Sequence, residues 1–275
     1  MAPMLKGLLL VAFAFYAAAT GLALAYLGSR DERLPRWMWR LLGFAAFFHL
    51  GSFCSLVREF WVWPQNRFFF PVVTFHGVLS WLAFTNALVF LVVEGVGRLG
   101  ILGAFVLPWT LLACGAALLI DPQSVPLAPA MQSYWLNIHP MVLMLAYTGF
   151  ANAFGVGVAL LVQERQIKSR KPSELCYRLP ALEELDRLHV LTLAFSWPVM
   201  TVGLAMGAVW SHEAYGRAWG WTAKETMALV TWGLYGACLY CHRFGGLRGR
   251  RSVHLAMAAF ASVLVTLLGF KHTLP

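Results

Sequence analysis

Long apolar runs separated by short polar segments make up most of the chain. Eight windows reach or approach the roughly 20 apolar residues that a helix needs to cross a hydrocarbon core: Leu8–Leu27, Leu41–Val57, Phe68–Val93, Leu99–Ile120, Trp135–Val162, Val190–Trp210, Thr226–Cys241 and Ser252–Phe270. The seventh is short and needs flanking residues to complete its span. This pattern predicts an all-α, polytopic membrane bundle of eight transmembrane helices. Nothing of soluble-domain size lies between the windows, so residues 1–275 read as a single integral membrane domain. Ala23-Leu24-Ala25 is similar to a signal-peptide cleavage site, but the apolar stretch before it is too long for one. Only Lys6 precedes that stretch, whereas Arg30, Arg33 and Arg36 follow it, so it reads as a retained helix with its N-terminus outside.

The polar segments set the orientation. Lys and Arg concentrate in cytoplasmic loops, and the first, third, fifth and seventh loops hold 15 of the 21, leaving 6 on the opposite side. Both termini are therefore expected outside. The longest cytoplasmic loop ends in Pro180–Leu188, where Leu182, Leu185 and Leu188 recur at near-helical spacing among charges, which predicts an amphipathic helix lying at the inner interface.

Composition agrees with a lipid solvent: 60% of residues are hydrophobic, 12% charged, and the mean hydropathy is +0.67. That excludes a disordered chain and a soluble domain. The net charge of +9 lies in short clusters and not on one basic face, so no nucleic-acid partner is expected. Five Cys, an odd number mostly placed inside apolar runs, imply no disulfide framework.

Candidate chemistry gathers on the outer side. Between windows six and seven, Trp210, Tyr215, Trp219 and Trp221 fall within twelve residues, interleaved with Gly216 and Gly220. A single interfacial Trp or Tyr is ordinarily a membrane anchor; four together predict a flat aromatic shelf for a large planar ligand. His139 opens window five and His272 follows window eight, at the same depth, where two neutral imidazoles flanking the shelf would serve as axial ligands of haem iron. Arg217 and Lys224 suit the anionic propionates better than His212 does. His49 and His76 lie inside windows two and three, where an ionisable group is a functional candidate, each either as an inner haem ligand or as a buried imidazole bonded to a backbone carbonyl. His189 and His254 are expected to be surface groups at cytoplasmic helix ends. Cys238-x-x-Cys241-His242 spells the pattern of covalent haem attachment, but its place at the cytoplasmic end of a membrane helix assigns the two Cys to packing. No Ser-His-Asp order, phosphate loop or zinc spacing is present.

The run Gly203–Trp232 resembles the tryptophan-rich signature of the cytochrome c assembly family, which includes the CcsA-type synthetase subunit, the CcmC-type haem handler and the HemX-type protein. The resemblance extends to Leu127–His139, Leu185–Leu188, Leu239–His242 and Leu267–His272, and so covers about residues 128–275. It implies non-covalent haem b held at the outer face between His139 and His272 over the Trp loop, and an inner haem site at His242 whose second ligand comes from a ResB-type (CcsB) membrane partner. It further implies haem delivery to apocytochrome c, in a bacterial cytoplasmic membrane, by a component of a synthetase system that is not a free-standing enzyme. Two positions depart from the family pattern: Thr222 replaces its Asp, and Met227 replaces a Trp. The alternatives are a HemX-type regulator of haem synthesis and a b-type electron carrier, the latter expecting four His at matched depths inside the bundle.

Overall fold

The computed structural model describes residues 2–29, 31–97, 99–122, 124, 126–169 and 172–269. Among these, nine α-helices follow one another: α1 (Ala2–Gly28), α2 (Arg33–Phe60), α3 (Phe75–Gly97), α4 (Gly103–Leu119), α5 (Tyr134–Lys168), α6 (Glu174–Arg178), α7 (Leu182–Tyr215), α8 (Ala223–Arg243) and α9 (Arg250–Leu268). Single 3-10 turns at Pro64–Asn66, Pro71–Val73 and Pro129–Met131 each open on a proline, whose fixed φ suits a first helical position.

Among the described residues, seven segments are long and apolar enough to cross a membrane: Met4–Gly28, Arg33–Phe60, Phe75–Gly95, Gly100–Leu119, Tyr134–Lys168, Leu182–Tyr215 and Arg250–Leu268. The protein is thus an integral membrane protein with an all-α fold. The eighth expected span corresponds to α8, which is not among the seven. Its 21 residues have the length, at 1.5 Å rise each, but Lys224, Glu225, His242 and Arg243 at its ends lower its hydropathy. A second expectation is corrected: Pro180–Leu188 forms no separate interfacial helix. Leu182 to Leu188 are the first two turns of the 34-residue α7, and Leu185 is fully buried.

The chain divides into two compact units, Met1–Thr148 and Gly149–Pro275, with the boundary inside the continuous α5. In the first unit α1 packs along α2 and α4, and α3 along α2 and α4. The buried positions of α1, Leu5, Leu9, Ala12, Tyr16, Ala19 and Ala23, alternate steps of four and three. This is a coiled-coil-like seam in which three alanines bring backbones close, as membrane helix contacts require in the absence of a hydrophobic driving force. Hydropathy alone does not reveal that face, since α1 is apolar all round. Several polar groups inside pair with one another: Asn86 Nδ2 donates to Thr110 Oγ1 at 2.7 Å, Ser52 Oγ to Leu5 O at 3.0 Å, and the Thr85 and Thr148 hydroxyls meet at 2.9 Å.

In the second unit α8 packs against α7 and α9. Its buried residues Ala228, Thr231, Tyr235 and Cys238 recur every three or four positions. Tyr235 stacks on Phe150 at 3.7 Å between ring centroids, and Trp232 stacks on Trp197 at 5.2 Å. Each indole N–H of that second pair is satisfied, Trp197 Nε1 by Trp232 O and Trp232 Nε1 by Thr201 Oγ1. The Thr231 hydroxyl donates to Ser262 Oγ on α9 at 2.9 Å.

Candidate functional site

The tryptophan-rich segment is half helix and half loop. Trp210, Ser211, His212 and Tyr215 belong to the last turns of α7, which stops at Gly216. Gly216 adopts φ 70°, a left-handed conformation that costs glycine little, and donates its N–H to His212 O at 2.9 Å. The loop that follows is folded onto itself. Ser211 Oγ donates to Arg217 O at 2.8 Å, and the Arg217 guanidinium lies so close over Gly220 that a Cβ there would meet it at 3.2–3.3 Å.

Glu225, in the first turn of α8, holds the loop together. Its Oε2 accepts the N–H of Gly220 at 3.1 Å, the N–H of Thr222 at 2.8 Å and the Thr222 hydroxyl at 3.0 Å. Thr222 Oγ1 in turn accepts the Glu225 N–H at 3.3 Å, closing a capping box. Trp221 sits between the two bonded N–H groups at φ 53°, an outlier for a bulky residue, with 70% of its surface exposed. Strain of this kind costs about 1–3 kcal/mol, and the bonds to Glu225 offset it. The Thr-x-x-Glu spacing was a legible cap signal in the sequence, although only the aromatic residues drew attention there. Thr222, in place of the family's Asp, performs the cap that either side chain can make.

The expected flat shelf is not what forms. Trp219 and Trp221 lie at 79° to each other, and so do Trp210 and Tyr215, so the rings make two edge-to-face corners. This geometry is the one that aromatic quadrupoles favour over coplanar contact. Trp219 is half-buried, and its indole N–H is buried without an acceptor among the described residues. Burial lowers the Lys224 ammonium from its ordinary value to about 8.

His139, in the first unit, is half-buried in the first turns of α5. Pro140 follows it, removing the backbone bond back to Leu136 O and loosening the helix at that point. Two residues before His139, Asn137 grips the α2–α3 connection: Asn137 Nδ2 donates to Phe68 O and its Oδ1 accepts the Phe70 N–H, both at 2.8 Å. That connection exposes Trp61, Trp63, Phe68 and Phe70. It is a second aromatic group, with Phe68 and Phe70 at the start of the third apolar window and Trp61 and Trp63 in the connection before it. His272 lies outside the described residues.

The inner histidines divide sharply. His49 is fully buried with both ring nitrogens engaged, Nδ1 by the Tyr16 hydroxyl at 3.1 Å and Nε2 by Ser80 Oγ at 2.9 Å. His76 Nδ1 donates to Ala117 O at 2.9 Å and Ile120 O at 3.1 Å, the backbone-bonded arrangement. His254 is exposed as expected. His189 corrects the sequence reading: it is fully buried, not a surface group, and its Nδ1 donates to Ala153 O at 2.8 Å. Since a carbonyl only accepts, Nδ1 carries the proton and Nε2 is left as a buried lone pair without a partner among the described residues. The misplacement follows from α7 starting at Leu182, which draws His189 two turns into the packed bundle. His242 Nε2 is 3.9 Å from Asp186 Oδ2, and its Nδ1 is buried without a partner among the described residues. Cys238 is buried and Cys241 half-buried, both as free thiols within α8.

The family model described as "Cytochrome C assembly protein" matches residues 72–274. Curated relatives include two proteins named "Cytochrome c biogenesis protein CcsA". That of Synechococcus sp. (strain CC9311) is 30% identical over 287 residues, covering 94% of this chain and 92% of its own. That of Prochlorococcus marinus (strain NATL1A) is 31% identical over 236 residues, 75% of each. Among solved structures, "Cytochrome c Heme Lyase CcmF" superposes with a TM-score of 0.76 at 18% identity, over 99% of this chain and 48% of that one. The present chain thus spans about half the length of that structure, and the likeness concerns the fold. A model matching most of the chain, and CcsA proteins about 30% identical over nearly its whole length, place it within one family: the protein belongs to the cytochrome c assembly proteins and is of the CcsA type.

Proposed function

We propose that the protein binds haem non-covalently, as haem b, and presents it at the outer face of a bacterial cytoplasmic membrane for cytochrome c maturation. The observation that supports this most is Trp221, a large aromatic residue kept exposed at φ 53° by bonds to Glu225 on either side of it. A fold maintains such a conformation against its cost where the side chain has a ligand to meet.

The residues of the loop fit a planar dianion. Trp221 offers a ring face, Trp219 a buried N–H without an acceptor, and Arg217 and Lys224 offer cations for carboxylates. Tyr215 and Trp210 border them in the last turns of α7. His139 and His272 are the proposed axial ligands, as the family resemblance implies. Bound haem supplies the macrocycle to which an apocytochrome's own cysteine thiols attach. The chain's part is to bind, ligate and orient, with apocytochrome c and a ResB-type membrane protein as partners. For a second, inner site we retain His242, whose Nδ1 has no partner among the described residues. The hydrogen bonds on both nitrogens of His49 weigh against its use there and against a b-type electron carrier.

The test is haem content and reduced spectrum in His139→Gly and His272→Gly. Each substitution should lower or shift them, the double variant should add little, because groups acting as one unit are non-additive, and external imidazole should partly restore the single variants. His254→Gly is the control, being exposed. Wild-type haem content and spectrum in both outer variants would remove the proposed ligation.

A further inference from the structure

The second unit contains a cavity of about 520 Å³ at its arginine-rich end, where the last turns of α5, the first turn of α7 and the α8–α9 connection meet. Leu160 and Leu182 form its apolar wall, and Arg248, Arg250 and Arg251 line the remainder together with Glu164. Glu164 is already engaged in an ion pair with Lys168, one helical turn along α5. Three arginines therefore line a space whose one carboxylate is paired with Lys168 and lies within electrostatic reach of Arg250 as well, which leaves an excess of positive charge.

The start of α9 sharpens the imbalance. A helix N-terminus carries partial positive charge and favours acidic residues or a capping side chain. Here the first turn holds no acid, the N-cap Gly249 supplies no side-chain bond, and the first two helical residues are Arg250 and Arg251. Asp186 on α7 accepts the Gly249 N–H at 3.0 Å, which fixes the connection in place without neutralising the arginines. An enrichment in Arg on one side of a membrane explains their presence there; it does not explain their convergence, with an uncapped helix end, on a cavity with an apolar wall.

We infer that this cavity binds the phosphate headgroup of an anionic phospholipid, with the guanidinium groups of Arg248, Arg250 and Arg251 on the phosphate and the upper acyl chains against Leu160 and Leu182. Guanidinium groups suit this role because their planar donors pair with phosphate oxygens two at a time. The leucines favour a lipid over a free phosphate. So does the position of the cavity at the ends of three helices of membrane-spanning length, α5, α7 and α9, where headgroups lie.

The test uses the full chain, wild type and Arg248→Gln/Arg250→Gln/Arg251→Gln, returned after delipidation to vesicles of phosphatidylcholine alone or mixed with phosphatidylglycerol. Native mass spectrometry reads retained lipid, and the unfolding temperature reads stabilisation. The wild type should retain phosphatidylglycerol and unfold at a higher temperature in the mixed vesicles. The triple variant should lose both effects, and retention should fall about fivefold per guanidinium removed, corresponding to ~1 kcal/mol for each basic residue at an anionic surface. Arg248→Gln, which precedes α9 and leaves the helix intact, keeps the test decisive should the triple variant fold poorly. Arg243→Gln, at the same end but not lining the cavity, should change nothing. Equal retention by wild type and Arg248→Gln, or an equal stabilisation of the detergent-solubilised wild type by inorganic phosphate, would overturn the assignment.

Discussion

Burial of His189 and of Lys224 has a measurable consequence in each case. His189, expected at the surface, is fully buried and donates to Ala153 O. His189→Gly should therefore lower stability by about 2–4 kcal/mol through a lost hydrogen bond and a cavity, whereas His254→Gly, at an exposed position, should cost only the ~0.5–1 kcal/mol of a glycine inside a helix. Thermal unfolding in detergent separates the two. Lys224, with its ammonium lowered to about 8 by burial, carries a pH signature. From about pH 8 up to the ordinary lysine value the unfolded chain binds more protons than the folded one, so the contribution of Lys224 to stability rises with pH through that window. Binding of a carboxylate works in the opposite direction, since it needs the charged form. Haem retention should be steady below pH 8 and decline above it, by up to tenfold per pH unit, and Lys224→Arg should flatten that decline because a guanidinium stays charged.

At the scale of the element, the turn from α7 to α8 depends on one carboxylate. Glu225→Ala removes three hydrogen bonds and the reciprocal cap, and should cost about 1–2 kcal/mol. It should also release Trp221 from φ 53°, so haem dissociation should accelerate more than the stability change alone accounts for. Glu225→Gln, whose amide oxygen still accepts the two backbone N–H groups, should retain most of the slow dissociation. Thr222→Ala should lose the cap, whereas Thr222→Asp should keep the bond from the Glu225 N–H but lose the one donated to Oε2 and place a second carboxylate beside it, giving an intermediate rate of stopped-flow haem transfer to a soluble acceptor. The cap was legible in the Thr-x-x-Glu spacing. The crossed rings were not, because the angle between Trp219 and Trp221 depends on backbone torsions that hydropathy does not encode. The continuity of α7 was likewise hidden, since the charges of Glu183, Glu184 and Arg187 mask a helix that begins outside the hydrocarbon.

For the whole molecule, the expected orientation rests on the distribution of Lys and Arg. With single Cys labels on a Cys-free background, Ser124 and Arg217 should react with an impermeant reagent from outside and Ser169 should not. Reaction at Ser169 from outside would place the tryptophan-rich loop on the cytoplasmic side and remove the proposed route of presentation. The labels also test α8, because Arg217 precedes it and Arg248 follows it. A label at Arg248 protected from outside would mean that α8 crosses, although its hydropathy falls short of the other seven helices.

Membrane class, helical fold and family were determined by the sequence alone. Transfer of about 20 consecutive side chains into hydrocarbon is a sum over neighbours in the chain, and the Gly203–Trp232 signature is likewise contiguous. What each histidine and tryptophan can do was decided by the tertiary structure. His49 meets Tyr16 and Ser80 from 33 and 31 residues away, and His189 meets Ala153 from 36 residues away. Whether a ring nitrogen is spent on a hydrogen bond or left to a ligand is settled by such distant partners, and no local pattern of apolar and polar positions contains them.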